Sequence, residues 1–297
     1  MKKFIYKLSG LMFFHKVGNM KQMKIVFLIV LFFMPLLNTA HAAISLPWST
    51  TYNCADWNTY TDPLNCDGLE KNGSWTAGGH YEQITSAANN PAGGGGKGQR
   101  HWVGDGTNIN SGGTSIKFAT PVTEFRMRWY IRYQSGFAWN PISYDKLLWI
   151  HDSAGGGGVV EPDYGDNFRL FNATTGLTVA SCSGGCGWNT MYPGGTSNGS
   201  WHYLEVHIKA STNGSNGIFE YWLDGVQKIS VNNINISNGT TFDHIEFPSN
   251  QATPANGGYY YIDLDDVAIN NTGFIGPVAG GTPPLAAPLP PVGLIVQ

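Results

Sequence analysis

The chain has 297 residues, a formal net charge of -3 and only 12% charged side chains. A nucleic-acid partner is not expected, because proteins that bind phosphate backbones carry a basic surface. Glycine accounts for 39 residues, well above the usual share of roughly 7%, and 13% of all residues are aromatic. Many turns combined with many aromatic side chains favour sheets whose surfaces can stack against a ligand.

The first 42 residues are typical of a secretory signal peptide. A basic start precedes the apolar run Ile25–Leu37 and the small-residue cleavage pattern Ala40-His41-Ala42, with Met20 and Met23 as alternative starts. An uncleaved anchor is the less favoured alternative, because the apolar run is short for a membrane span. We expect a mature protein that begins near Ala43, is secreted, periplasmic or at the cell surface, and contacts no membrane after cleavage.

The four cysteines all follow this segment. An even number of cysteines in an exported chain predicts disulfides, and we expect the local pairs Cys54–Cys66 and Cys182–Cys186. A zinc site is the alternative, but the spacings do not form paired C-x-x-C knuckles.

Strand patterns dominate the remaining sequence, with no convincing helix. Apolar and polar residues alternate between clusters of Gly, Asn, Ser and Pro. The predicted strands are Ser115–Phe118, Glu124–Gln134, Lys146–His151, Asn167–Asn172, His202–Ala210, Gly217–Leu223, Val226–Val231, Asp243–Phe247 and Tyr259–Ile269. Asp224-Gly225 favours a two-residue type I′ turn. Many antiparallel strands predict an all-β, two-sheet sandwich.

Two glycine-rich stretches, Pro91–His101 and Gly155–Gly158, are interpreted as flexible loops at the rim of a binding groove. Neither is a P-loop, because no G-x-x-x-x-G-K-[ST] pattern occurs there. One folded, monomeric domain is expected over residues 44–276. Residues 277–297 are predicted to be a Pro/Gly-rich linker or tail.

The predicted strand Glu124–Gln134 has an unusual polar face. Arg126, Arg128 and Arg132 share that face with Tyr130, while the alternate residues are apolar. Arginines two residues apart repel one another unless an anion or a polar network meets them. This face therefore favours an extended, acidic ligand.

Three further segments resemble a known fold. Trp201–Lys209 and Gly217–Gly225 resemble the paired back strands of concanavalin A-like (laminin-G-like) jelly rolls, where a W-x-x-x-E-V strand pairs with a Y-W-x-D-G hairpin. Tyr260–Ile269 resembles the last strand of that fold. Within the superfamily, the chain resembles exported polysaccharide lyases of the heparin-lyase-like and alginate-lyase-like types. The resemblance implies a jelly roll that cleaves an acidic, uronate-containing polysaccharide by β-elimination.

The sequence also departs from these relatives. The E-x-D-x-E signature of jelly-roll glucanases is absent. The Gln-Ile-His triplet of alginate lyases corresponds at best to Trp149-Ile150-His151, and their R-[ST]-E-[LV]-R strand is not matched by Arg126–Arg132. The catalytic residues of those families therefore do not transfer directly to this chain.

Elimination beside a uronate carboxylate requires a group that neutralises the carboxylate, a base and an acid. The predicted catalytic residues are His151, Tyr144 and Lys146. The predicted substrate-binding residues are Arg100, His101, Trp102, Arg126, Arg128, Tyr130, Arg132, Trp139, Arg169 and Trp188. Lys146 and His151 are an odd number of residues apart, so a bulge or loop must redirect one of them.

Simpler interpretations stay open for the same residues. The arginines can form a solvated sheet face paired with Glu124 and Asp145. His151 can be an ordinary rim histidine, and Tyr130 and Tyr144 can pack on a sheet face.

Two other functions also stay open. A lectin-like module would stack sugars on Trp102, Trp139 and Trp188 in loops. A hydrolase would need two facing carboxylates, for which Glu205 and Glu220 are candidates. No cofactor is required, although structural calcium is possible at Asp263, Asp265 and Asp266.

The cysteine pattern gives the first testable prediction. Thiol titration of the denatured, unreduced mature protein should detect no free thiol, because both pairs are expected to be oxidised in an exported chain. The same titration after reduction is the control, and four thiols before reduction would contradict the pairing.

Overall fold

The computed structural model describes residues 43–57, 65–71, 82–103, 113–140, 145–163, 166–191, 193–236, 239–249, 251 and 254–278. The predicted signal peptide and all but the first two residues of the predicted tail lie outside these described residues. Among the described residues, no helix has the length and apolar character needed to cross a membrane.

The described strands form two largely antiparallel sheets, here called sheet A and sheet B. Across sheet A run β12 (Thr178–Ser183), β11 (Asn167–Asn172), β10 (Gly157–Asp163), β9 (Leu148–Asp152), β16 (Phe242–Glu246), β7 (Thr114–Val122), β4 (Leu69–Lys71) and β3 (Asn65–Cys66), with β1 (Ala43–Ile44) beside β7. Across sheet B run β15 (Val226–Ile234), β14 (Gly217–Leu223), β13 (His202–Lys209), β8 (Glu124–Tyr133), β17 (Tyr260–Asn270), β6 (Gly98–Val103) and β5 (Gln83–Thr85), with β2 (Trp48–Thr50) beside β17. Three short 3-10 helices cover Ser86–Ala88, Trp188–Thr190 and Pro193–Gly195.

The apolar side of β8 forms the centre of the core. Its alternate residues from Phe125 to Tyr133 are at most 1% exposed. The Phe125 ring lies 5.7 Å from that of Phe242 in sheet A, and the Trp129 ring lies 5.4 Å from that of Phe247, just after β16. The two sheets therefore share one apolar interior, and each has a separate outer face.

The all-β sandwich prediction is confirmed. Strands Asn167–Asn172 and Gly217–Leu223 have the predicted bounds. Asp224 and Gly225 have φ values of 49° and 78°, as the type I′ turn requires. Strand β10 was not predicted, because it opens with two glycines and contains Pro162.

The glycine-rich stretches are more ordered than predicted. Gly98 and its successors form β6, and Gly157 begins β10 directly opposite His151. Gly157 has a φ of 135°, and a Cβ there would overlap the carbonyl oxygen of Ile150. Only glycine therefore allows this close pairing at the His151 end of β9.

Both predicted disulfides are present, between Cys54 and Cys66 and between Cys182 and Cys186. Each bridge closes a local loop, as the sequence spacing implied.

Residues 273–278, here called the C-terminal segment, bond to side chains of the outer face of sheet B. Arg128 donates to the carbonyl oxygens of Gly276 (3.1 Å) and Asp266 (2.9 Å). Glu205 accepts from the amides of Ile275 (2.8 Å) and Gly276 (2.9 Å). Burial lowers the pKa of Arg128 and raises that of Glu205, so these bonds offset the cost of burying two charges.

Removing this segment tests that account. A chain ending after Thr272 should lose on the order of 3–6 kcal/mol of unfolding free energy, because charged groups lose hydrogen bonds. The melting temperature should fall by roughly 10 °C for a domain of this size. A chain ending after Val278 is the matched control and should melt like the full protein. Equal melting of the two truncations would contradict the role of the segment.

Candidate functional site

The predicted site residues lie on two different outer faces. Lys146, His151 and Arg169 belong to sheet A or its immediate approach. Those on the polar face of sheet B are Arg100, Trp102, Arg126, Arg128, Tyr130 and Arg132. Arg128 and Arg132 therefore share no groove with His151, because the apolar core separates the two faces.

Three predicted sugar-contacting residues are buried. His101 is 0% exposed and contacts the buried carboxylate of Glu82. Trp139 and Trp188 are 6% and 1% exposed, and their rings lie 6.0 Å apart within the core cluster. As placed, these three side chains cannot reach a polymer, because alternation and packing turn them inward. Tyr144 lies outside the described residues.

A row of basic side chains crosses the outer face of sheet A. His151 on β9 pairs with His244 on β16, and His244 pairs with Lys117 on β7. The two imidazole rings stack with centroids 4.0 Å apart and an interplanar angle of 8°. The three side chains are half-buried, so the row lies at the surface without being fully solvated.

A β-bulge places a carboxylate beside this row. The register between β16 and both of its neighbours shifts between Phe242 and His244. Relative to β9 the shift makes Asp243 the extra residue, and its Oδ1 lies 2.6 Å from Nδ1 of His244. A carboxylate only accepts hydrogen bonds, so this contact holds the His244 proton on Nδ1 and leaves a lone pair on Nε2.

The flanking residues complete the set that we call the histidine site: Lys117, Lys146, Trp149, His151, Asp243, His244 and Glu246. Trp149 stacks on His151 with centroids 4.9 Å apart, and the Lys146 ammonium lies 4.2 Å from the Trp149 ring. Among the described residues His151 Nε2 has no hydrogen-bond partner, and it lies 3.7 Å from a Glu246 oxygen. That distance exceeds a hydrogen bond, which is common for a catalytic contact before substrate binds.

Two of the four basic groups of this site, His244 and Lys146, have pKa values below their ordinary ones. Burial lowers the pKa of His244, a charged His151 lowers it further, and Asp243 opposes both effects. Burial also lowers the pKa of Lys146, against the carboxylates of Glu161 and Glu246. His244 is therefore neutral at neutral pH, as a general base must be.

Lys146 and His151 lie on the same face although they are an odd number of residues apart. Leu147 and Leu148 are consecutive and both buried, at 1% and 0% exposure. This breaks the alternation just before β9 begins at Leu148. Lys146 consequently reaches the same face as Trp149 and His151.

The sequence analysis named none of the following as site residues: Lys117, Trp149, Asp243, His244, Glu246 and Glu161. The alternation of His244 and Glu246 with apolar Ile245 and Phe247 was a usable signal, of the same kind as in β8. Glu161 is 2% exposed and binds Arg169, with Nε 2.7 Å from Oε1. Arg169 is thus already paired with a carboxylate on the neighbouring strand.

The arginines of sheet B are held by partners other than those predicted. Arg126 contacts Glu220 at 3.4 Å, and Arg100 and Arg132 both bind Asp263. The expected partner Glu124 instead contacts His207 at 2.7 Å. The simpler interpretation of this face, a network of paired charges, therefore accounts for much of it.

The calcium candidates have different surroundings. Asp263 binds two arginines. Asp265 accepts from the amide of Asn90 at 2.7 Å and Asp266 from that of Gly94 at 2.9 Å. Burial raises the pKa of Asp265 to about 8, a value that a bound cation would lower. The Asp265–Asp266 pair has oxygen donors that suit calcium, and calcium there stays a prediction.

One of the two carboxylates that the hydrolase alternative requires is not accessible to a substrate. Glu205 is 0% exposed and holds the amides of the C-terminal segment. As placed, it does not face a substrate together with Glu220.

The histidine site lies in the part of the chain that resembles a known protein family. Residues 111–248 match the family model described as polysaccharide lyase. This match makes the chain similar to polysaccharide lyases over somewhat less than half of its length. The matched residues contain every member of the histidine site, whereas Arg100, Asp263 and the C-terminal segment lie outside them. No curated protein sequence matches the chain.

Several solved structures resemble this chain at low sequence identity. A variant of alginate lyase Aly36B in complex with an alginate trisaccharide has a TM-score of 0.50 and 12% identity, with coverage of 78% of this chain and 100% of that one. The endo-β-1,4-glucuronan lyase from the fungus Trichoderma reesei has a TM-score of 0.46 and 13% identity, with coverage of 74% of this chain and 96% of that one. The cellulose induced protein Cip1 has a TM-score of 0.47 and 13% identity, with coverage of 75% of this chain and 97% of that one. At 12% identity the likeness to Aly36B shows the fold alone, so the residues of this chain must carry any argument about its chemistry.

The coupling of the two histidines is measurable by NMR. Titration of the imidazole protons should give His244 a pKa below the ordinary value of about 6.5. His151→Phe should raise that pKa, because a stacked ring remains but its positive charge is gone. Asp243→Asn should lower it further, because a neutral amide no longer stabilises the imidazolium. Shifts of the same sign in both variants would contradict the proposed arrangement.

Proposed function

We propose that this protein is a polysaccharide lyase that cleaves a uronate-containing polymer by β-elimination at the histidine site. The observation that carries the proposal is the stacked, carboxylate-oriented pair of His151 and His244, which lies within the residues matched to the lyase family. Alginate and glucuronan are the first polymers to test, because lyases of those two polymers share the fold.

Lys117 is the candidate for neutralising the sugar carboxylate. It is half-buried beside His244, and no salt bridge links it to a carboxylate within the described part of the chain. Its ammonium group is therefore available to a uronate carboxylate. Withdrawal of charge from that carboxylate makes the proton on the adjoining carbon more acidic.

The two histidines can divide the proton transfers between them. Nε2 of His244 removes the proton from the carbon that bears the carboxylate. The bond to the leaving oxygen then breaks, a carbon–carbon double bond forms, and His151 returns a proton to the leaving oxygen. Stacked imidazoles resist carrying two charges at once, which favours one neutral base beside one protonated acid. Lys146 and Trp149 support the sugar at the end of this row.

The predicted location and oligomeric state complete the proposal. Two disulfides agree with an oxidising compartment, and a polymer too large to enter a cell requires an enzyme outside it. Secretion and a monomeric state stay predictions.

A spectroscopic assay tests the reaction. Wild-type protein incubated with alginate or glucuronan should gain ultraviolet absorbance from the new double bond conjugated to the carboxylate. His244→Gln should lower kcat/KM by about 10²-fold or more, because the general base is lost. His202→Gln, which changes a histidine near the start of β13 in sheet B, is the matched control and should keep full activity.

Other outcomes would replace the proposal. New reducing ends without ultraviolet absorbance would indicate a hydrolase. Binding of the protein to alginate or glucuronan without any cleavage would indicate a lectin-like module. Undiminished absorbance from His244→Gln would place the base elsewhere.

A further inference from the structure

The outer face of sheet B carries a second, separate set of residues. Trp102, Arg100, Tyr261, Arg132 and Trp201 form what we call the aromatic–arginine band. Cross-strand pairing joins Trp102 to Tyr261, and Asp263 lies between Arg100 and Arg132. The C-terminal segment instead bonds to Arg128, Tyr130 and Glu205 on the other part of this face.

The band alternates flat cations with aromatic rings. The guanidinium carbon of Arg100 lies 3.5 Å from the Tyr261 ring centroid. That of Arg132 lies 4.9 Å from the Trp201 centroid, and Trp102 meets Tyr261 edge-on at 5.4 Å. Stacking holds the guanidinium planes in place, so their outward N–H groups are fixed in advance for an acceptor.

The charges of the band do not balance. Arg100 and Arg132 share one carboxylate, Asp263, which is 0% exposed, and both donate to the carbonyl oxygen of Ala87. Neither arginine has a salt bridge to a second carboxylate among the described residues. One positive charge is therefore left over, and the Arg132 side chain is 25% exposed.

We propose that the aromatic–arginine band is a second, non-catalytic binding surface for the acidic polysaccharide. The band spans β6, β17, β8 and the start of β13, a width of roughly 14 Å at the usual strand spacing. Half-buried aromatic faces suit sugar rings, and the surplus guanidinium charge suits their carboxylates. The identity of the polymer rests on the proposed function, but the existence of the surface does not.

This surface lies on the sheet opposite the histidine site and outside the residues matched to the lyase family, except for Arg132 and Trp201. A long chain bound here keeps the enzyme close to its polymer while another stretch reaches the histidine site. Binding at two places on one chain raises the effective concentration of substrate.

Affinity electrophoresis in gels containing alginate or glucuronan tests the proposal. All proteins carry His244→Gln, so that the polymer is not consumed. Trp102→Ala combined with Tyr261→Ala should weaken binding by about ten-fold, since stacking surface is lost at two adjacent positions. Phe274→Ala, which removes an aromatic residue 47% exposed outside the band, is the matched control and should migrate like the parent. Near-ultraviolet circular dichroism establishes that each variant is folded.

The outcomes separate the two proposals. Equal retardation of the folded band variant and the control would overturn the second surface, as would equal retardation of the parent in neutral hydroxyethylcellulose. If wild-type protein produces no ultraviolet absorbance but the band variant still loses retardation, the proposed lyase reaction fails and the surface stands. If absorbance appears and the band variant binds normally, the reaction stands alone.

Discussion

The shared apolar interior is the constraint on which the rest of this structure depends. Residues such as Trp129 and Phe247 meet across the two sheets, and each strand that contributes one face to this interior turns its other residues outward. The molecule consequently has two polar faces that cannot touch. Chemistry on β9 and charges on β8 belong to different surfaces, although the chain order places these strands next to one another.

Irregularities in the strands, rather than the regular pattern, assemble the histidine site. The bulge at Asp243 brings two consecutive side chains into contact, which regular alternation forbids. The consecutive buried residues Leu147 and Leu148 likewise turn Lys146 towards Trp149. Gly157 permits the close pairing at His151. Such departures from ideal geometry concentrate at functional sites, where they direct side chains that the regular fold would separate.

Sequence patterns predicted the architecture well because alternation is a local property. The arginine strand, the Asp224-Gly225 hairpin and both disulfides follow from residues that are close in the chain. The composition of the site depends on register between β7, β9 and β16, which are separated in sequence by long segments. No local pattern shows that Lys117 lies beside His244. The burial of His101 and Trp188 was also unpredictable, since polar and aromatic residues near loops occupy either environment.

The two faces manage positive charge in opposite ways, and this difference decides their roles. On sheet B, Arg126 and Arg128 are satisfied by Glu220 and by backbone carbonyls, so that they stabilise the fold. On sheet A, burial and the neighbouring ring keep His244 uncharged, while Asp243 fixes its tautomer. An arginine stays protonated near neutral pH and cannot accept a proton from a substrate, whereas an oriented neutral imidazole can. The most conspicuous charges in the sequence therefore organise the structure and its surface, and the less conspicuous histidines are suited to the chemistry.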